Sequence, residues 1–192
     1  MPRLGLVIAS TRPGRAGLPV GRWFQKKAEA HGAFDVEWID LAEIHLPFMD
    51  EPHHPRLRQY VHDHTKRWSA LVEEMDAFVF VHPEYNYGMT APLKNALDYL
   101  HWEWHYKPVG LVSYGGISAG LRAAQQIKQI VTTLKMMPMN EAVSIPFVAQ
   151  FIKDGEFHPN DVLEQAAVAM LDELARWEEA LRPLRESVRA AR

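Results

Sequence analysis

Residues 9–17 combine hydroxyl groups, two arginines and two glycines between an apolar run and a helical pattern. Backbone N–H groups at a helix N-terminus and the helix dipole favour an anion there, and arginine adds forked hydrogen bonds. An ordinary strand-to-helix turn with a capping serine remains the alternative, because neither a Walker loop nor Gly-x-Gly-x-x-Gly is present. The candidate anion ligands are Ser10, Thr11, Arg12, Arg15 and Gly17.

A second segment, residues 82–90, contains proline, two tyrosines, asparagine and glycine after another apolar run. Such a loop could offer backbone N–H and C=O groups and aromatic faces to a flat heteroaromatic ligand. A rigid surface turn is the alternative. The candidate residues are Pro83, Glu84, Tyr85, Asn86 and Gly88.

A third segment, residues 113–122, is rich in glycine and also follows an apolar run. Glycine permits close backbone approach to a ligand, or merely a tight turn. No lysine follows these glycines, which argues against a phosphate loop. The candidate residues are Ser113, Tyr114, Gly115 and Gly116.

The elements that would position these segments alternate along the chain. Continuous apolar runs predict buried strands at residues 4–9, 36–39, 78–81, 109–112 and 142–145. Helical patterns occupy residues 17–31, 57–75, 90–101 and 119–135. This alternation predicts an α/β fold with a doubly wound, five-stranded parallel sheet and helices on both faces. The three segments would then lie at the carboxyl ends of strands, where open sheets bind ligands.

Three motifs together carry a family resemblance. In chain order they are Ser10-x-Arg12, then Pro83-Glu84-Tyr85-Asn86 with Leu93-Lys94-Asn95-Ala96-x-Asp98, then Tyr114-Gly115-Gly116 with Arg122. The sequence resembles the NADPH-dependent FMN reductase family from residue 3 to about residue 150. The resemblance implies a flavodoxin-like fold, non-covalent FMN, and NADPH or NADH as electron donor.

The resemblance also implies roles for the candidate residues. Ser10 and Arg12, with the backbone of residues 11–17, would hold the FMN phosphate. Residues 83–88 would lie along the isoalloxazine ring, and residues 113–116 would line its other edge. The chain departs from the family pattern at Ala9, Arg15, Thr90-Ala91 and Ala119, so we expect a phosphate site that relies more on charge than on hydroxyls.

The implied activity is that of an FMN-dependent NAD(P)H oxidoreductase. It would pass reducing equivalents to a small acceptor such as a quinone, azo compound, flavin or metal ion. Because the flavin N5 carries the chemistry, no catalytic side chain is required. An FMN-binding electron carrier or redox sensor is the alternative. The net charge of −3 favours the enzyme, since flavodoxin-type carriers are more acidic.

Histidine and aromatic residues cluster between positions 53 and 106. His101 and His105 are four residues apart, and His53, His54, His62 and His64 add candidates, but no third convergent metal ligand can be placed. We therefore expect solvated or interface histidines and no metal. The segment from Tyr99 to Tyr106 predicts a subunit contact in a homodimer or homotetramer, or a cover over the flavin ring, with core packing as the alternative.

Composition limits the remaining possibilities. The 192 residues suit one domain, residues 1–192, that includes a C-terminal helix at about 160–189. Absence of cysteine excludes disulfides and thiolate chemistry. No basic excess, signal-peptide core or membrane-length apolar run is present, so we expect a cytoplasmic protein without nucleic-acid or membrane partners.

Three further expectations concern the second half of the chain. Residues 136–139 are interpreted as a flexible connection into the fifth strand. The apolar stripe of the last helix is expected to cover the sheet in its first half. Pro183 is expected to break or kink this helix, with a solvated tail from Arg185 onward.

Overall fold

The computed structural model describes residues 1–190 and contains a five-stranded parallel sheet in the order β2-β1-β3-β4-β5. The strands are β1 (Arg3–Ile8), β2 (Asp35–Asp40), β3 (Ala77–Pro83), β4 (Pro108–Tyr114) and β5 (Met137–Ile145). All five predicted strands are present, and the order is that of the flavodoxin-like fold. Every residue of β3 and β4 is buried, which explains the continuous apolar runs at residues 78–81 and 109–112.

Helices cover both faces of the sheet. They are α1 (Gly17–His31), α2 (Leu41–Ile44), α3 (Asp63–Glu74), α4 (Ala91–Asp98), α5 (Leu121–Thr133) and α6 (Asp161–Ala190). One apolar core lies beneath α1 and α6, and the other beneath α3, α4 and α5. A short antiparallel hairpin that the sequence analysis did not predict, β6 (Ile152–Lys153) and β7 (Glu156–Phe157), packs on α1 through Phe157 and Trp23. No helix within residues 1–190 is both long and apolar enough to cross a membrane.

Helix α3 begins six residues later than the predicted start at residue 57. Residues 55–57 form a short 3-10 helix, and Arg58 adopts a positive φ of 52°. The Glu51 carboxylate accepts hydrogen bonds from the N–H groups of Val61 and His62, at 2.9 and 3.1 Å. These amides are therefore satisfied outside a helix, and Leu57 and Val61 are exposed.

The interpretation of residues 136–139 as a flexible connection was wrong. Met137 begins β5, and Met136 and Met139 are buried. Pro138 is tolerated because β5 is an edge strand, and the β4–β5 register shifts between Val109 and Leu111.

Helix α6 spans nearly the predicted range of 160–189 and is not broken at Pro183. Its first half covers the sheet as expected, with Leu163, Met170 and Leu174 buried. Beyond Pro183 the helix continues to Ala190, because its last turns are held by ion pairs. Arg185 is 3% exposed and pairs with Glu178 and Asp76, so the expectation of a solvated tail was wrong here. Residues 191–192 of that tail lie outside the described residues.

The segment from Tyr99 to Tyr106 is mainly core, not an exposed contact surface. Tyr99 and Trp104 are buried, and the Trp104 ring lies 5.1 Å from the Phe78 ring between centroids. The Trp104 indole N–H donates to the Leu97 carbonyl at 3.2 Å. The alternative of core packing therefore holds for most of this segment, while Trp102 and Tyr106 are half-buried.

Candidate functional site

Three loops meet at the carboxyl edge of the central strands. Loop 1 (residues 9–16) follows β1, loop 2 (residues 84–90) follows β3, and loop 3 (residues 115–120) follows β4. Direct hydrogen bonds join the first two loops. The Ser10 and Tyr85 hydroxyls are 2.7 Å apart, and the buried Thr90 hydroxyl donates to the Ala9 carbonyl at 2.8 Å. The predicted candidate segments are thus brought to one edge of the sheet.

Loop 1 leads into a helix N-terminus that is open to an anion. Helix α1 has no side-chain cap and no acidic residue in its first turn. Ser10 is buried, Thr11 and Arg12 are exposed, and Gly14 has a φ of 70° with open space where a Cβ would be. Free backbone donors, the helix dipole and an arginine suit a phosphate group.

Arg15 differs from the other candidates because a carboxylate already binds it. Its guanidinium lies 2.5 Å from an Asp40 oxygen, and its side chain is only 13% exposed. Asp40 in turn caps α2 by accepting from the Ala42 N–H at 3.0 Å. In the described part of the chain the Arg12 guanidinium forms no ion pair, so it is the loop 1 arginine available to a ligand.

Loop 2 is a tight turn whose backbone is strained. The N–H and C=O groups of Tyr85 and Gly88 bond reciprocally at 3.0 Å. The two residues between them, Asn86 and Tyr87, have positive φ values of 49° and 72°. Non-glycine residues rarely adopt this conformation, so the surrounding structure must hold it.

Helix α5 holds loop 2 through two side chains. The Glu84 carboxylate accepts from the Arg122 Nε at 2.5 Å and from its backbone N–H at 3.0 Å. Burial alone would raise the pKa of the Glu84 carboxyl, but the Arg122 hydrogen bonds outweigh it and lower that pKa. Arg122 also stacks on the Tyr87 ring at 3.6 Å, and Gln126 accepts from the Met89 N–H at 2.7 Å. Gln126 was not predicted, although it lies one helical turn after Arg122.

Loop 3 accepts backbone hydrogen bonds from the segment that follows β5. The Gly115 and Gly116 carbonyls accept from the N–H groups of Val148 and Phe147, both at 3.0 Å. A Cβ at Gly116 would meet nothing within 4 Å, so its backbone faces open space. The Ser113 hydroxyl contacts the Ser144 hydroxyl at 3.5 Å, which directs it toward β5.

Two grooves lie on either side of loop 1. One of about 580 Å³ includes Thr11, Phe48 and Pro92, and the other of about 910 Å³ includes Gly14, Trp23 and Val148. Both volumes are in the range of small-molecule sites. Among residues 1–190, no group of three His, Cys, Asp or Glu side chains could hold a metal ion.

The sheet order defines a flavodoxin-like α/β protein, a fold in which ligands bind at the carboxyl edge of the sheet, where these three loops meet. The family model described as NADPH-dependent FMN reductase matches residues 2–150. The chain belongs to the NADPH-dependent FMN reductase family, in agreement with the sequence resemblance. It is therefore an oxidoreductase with FMN as cofactor and NAD(P)H as electron donor.

Individual relatives agree with this assignment. An NAD(P)H-dependent FMN reductase of Schizosaccharomyces pombe is 38% identical over 149 residues, which cover 76% of this chain and 74% of the relative. An NAD(P)H:quinone oxidoreductase of Solanum tuberosum is 40% identical over 110 residues, or 56% of this chain and 55% of the relative. The solved flavoenzyme FerB, an NAD(P)H:(acceptor) oxidoreductase from Paracoccus denitrificans, matches the fold with a TM-score of 0.75 at 20% identity, covering 94% and 98% of the two chains.

Proposed function

We propose that this protein transfers reducing equivalents from NAD(P)H through FMN bound at the three loops to a small quinone. The observation that carries the assignment of the site is the uncapped N-terminus of α1 beside the buried Ser10 hydroxyl. It offers backbone and side-chain donors to a dianionic phosphate, and the adjoining loops offer an aromatic and glycine-rich edge to a flat ring.

Each loop has a distinct role in this proposal. Ser10, the exposed Arg12 and the α1 backbone bind the phosphate. Loop 2 presents its backbone and the Tyr85 ring to the isoalloxazine, and the open Gly116 backbone faces the opposite edge of that ring. Bound FMN supplies the hydride-accepting centre, while the protein orients the ring and excludes competing reactions.

A quinone is the acceptor class that we favour. The Solanum tuberosum relative is named as a quinone oxidoreductase. Tyr85 and Tyr87 are exposed beside the proposed ring site, and their faces suit a flat conjugated molecule. A cytoplasmic location and a homodimeric or homotetrameric assembly, both predicted from the sequence, belong to the same proposal.

The visible absorption spectrum of the purified protein tests this function directly. A bound-flavin spectrum should bleach on anaerobic addition of NADPH or NADH and should return when a quinone is added. Return with an azo compound, free flavin or ferric chelate but not with a quinone would overturn the acceptor assignment. A flavin spectrum that neither nucleotide bleaches would indicate a carrier or sensor.

A pair of arginine variants tests the phosphate site. Arg12→Ala should weaken FMN binding about tenfold, because charge-assisted hydrogen bonds to phosphate are the strong ones. Arg67→Ala, which removes an exposed arginine on α3, should leave FMN binding unchanged. Equal affinity of both variants would contradict the assignment of loop 1.

A further inference from the structure

Tyr114, the last residue of β4, has a buried hydroxyl whose hydrogen-bonding capacity is unused. The residue is 4% exposed, and among residues 1–190 no atom forms a hydrogen bond of normal geometry with its Oη, although the Ser10 hydroxyl and the Gly17 amide lie near it. Buried phenol groups almost always find a partner, so an unpaired one at a binding site points to an interaction that the ligand completes.

The hydroxyl faces loop 1 and the start of α1. An ideal Cβ placed on Gly17 would lie 2.7 Å from Tyr114 Oη, so a glycine is required beside it. Burial and the nearby Tyr85 raise the pKa of Tyr114, while Ser10, Arg15 and the Gly17 amide are close enough to oppose that rise. The phenol therefore remains protonated and can act as a donor.

Ser10 connects this buried hydroxyl to the exposed side of the loop. Its own hydroxyl contacts Tyr85 at 2.7 Å, so side chains from loop 1, loop 2 and β4 converge at the residue proposed to bind phosphate. A Ser10 hydroxyl that donates to a phosphate oxygen has lone pairs left to accept from Tyr114. Donors linked in this way strengthen one another where solvent is excluded.

We propose that Tyr114 is a positioning residue for the phosphate end of FMN, and that its hydroxyl completes the hydrogen bonding of Ser10 and loop 1 once the phosphate is bound. This inference rests on the proposed FMN site and deepens it. It moves the Tyr114 side chain from the edge of the isoalloxazine ring, where the family resemblance put it, to the other end of the cofactor. The expected consequence is selectivity for FMN over riboflavin, which has the same ring but no phosphate.

The test compares the binding of FMN and riboflavin to apoprotein by quenching of flavin fluorescence. Tyr114→Phe should weaken FMN binding about tenfold and leave riboflavin binding unchanged. Tyr106→Phe, which alters a half-buried tyrosine just before the amino end of β4, should change neither affinity. The melting temperature of the Tyr114→Phe apoprotein should not fall, because the lost hydroxyl has no partner in the ligand-free protein.

Each other outcome overturns the inference. Equal losses for FMN and riboflavin would put Tyr114 at the ring, and no loss for either would make its hydroxyl irrelevant to the cofactor. If Tyr114→Phe does not fold, Gly17→Ala displaces the hydroxyl without removing it and should show the same selective loss of FMN. Wild-type protein that binds neither flavin would instead refute the proposed function.

Discussion

At the scale of single residues, we expect His82 to make the free energy of unfolding depend on pH. It lies at the end of β3 with no exposed surface, and its Nδ1 is 3.2 Å from the Pro83 carbonyl. Burial lowers the pKa of this imidazole from 6.5 to about 4, although the Pro83 carbonyl and Glu84 oppose the shift. The folded protein therefore keeps His82 neutral at pH values where the unfolded chain protonates it.

The stability that neutral His82 contributes should decrease as the pH is lowered. Because the folded pKa lies below the unfolded one, the contribution to stability is complete above pH 6.5 and is lost as the pH falls toward 4. We expect the loss to reach about 3 kcal/mol. Urea unfolding across this range should show a weaker pH dependence in His82→Phe than in wild type. His53→Gln, at an exposed position, serves as the control, and an unchanged slope in His82→Phe would contradict the prediction.

The contacts of the Arg15 and Tyr114 side chains could not be predicted from the sequence. Both lie at the carboxyl edge of the sheet, as expected for motifs that follow predicted strands. That Arg15 is bound by Asp40 depends on β2 lying beside β1, which no local pattern encodes. The direction of the Tyr114 hydroxyl likewise depends on α1 packing against the carboxyl end of β4.

At the scale of elements, the contact between α5 and loop 2 should control how well the ring is held. Asn86 and Tyr87 keep positive φ values, and Arg122 anchors that turn through Glu84 and the Tyr87 ring. Arg122→Ala should loosen loop 2 and weaken FMN and riboflavin binding equally, by about tenfold, since a mobile loop must be ordered on binding. Fluorescence titration with both flavins measures this.

A control variant on α5 tests whether the loss of any positive charge from this helix would weaken flavin binding. Lys128→Ala removes another cation of α5, one that is half-buried, and should leave both affinities unchanged. Loss of FMN binding alone in Arg122→Ala would mean that Arg122 serves the phosphate and not the ring, contrary to the expectation.

The last turns of α6 should contribute to stability through Arg185. Its guanidinium is 2.5 Å from Glu178 and 3.2 Å from Asp76, and both Arg185 and Glu178 are buried. Arg185→Met should cost about 2 kcal/mol of unfolding free energy, because the buried Glu178 carboxylate loses one of its two arginine partners and keeps only the more exposed Arg182. Arg176→Met breaks a pair with Glu173 in which Arg176 is 78% exposed, and it should cost under about 1 kcal/mol. Similar midpoints for the two variants in urea would contradict this account.

The elements also show which parts of the fold a sequence can predict. The strands were found because burial on both faces leaves continuous apolar runs such as residues 78–81. The start of α3 was placed too early because Glu51, distant in sequence, binds the amides of residues 61 and 62. The extent of α6 was predicted, but the burial of Arg185 in its expected solvated tail was not, because it depends on Asp76 just before β3. Strands that leave a continuous apolar run were predicted from the sequence. Features that depend on a charged residue outside the element itself were not.

At the scale of the whole molecule, the amino and carboxyl edges of the sheet differ in the contacts that they carry. At the amino edge, the buried Lys107 amino group donates to the Val72 carbonyl near the end of α3 at 2.6 Å. Arg189 adds an ion pair to Glu73 at that edge. The carboxyl edge instead carries the strained loop 2, the uncapped α1 and two open grooves. The open grooves at the carboxyl edge leave room for a ligand beside loop 1.

Because the candidate loops converge on this one edge, the nicotinamide donor and the quinone acceptor should reach the same face of the cofactor in turn. Neither can approach while the other occupies the cleft, so the donor must leave before the acceptor binds. We therefore expect ping-pong kinetics, with parallel double-reciprocal lines when NADPH is varied at several fixed quinone concentrations. Each substrate should also inhibit competitively against the other at high concentration. Intersecting lines without such inhibition would require separate sites for the two substrates, and the two grooves beside loop 1 would then be the places to examine.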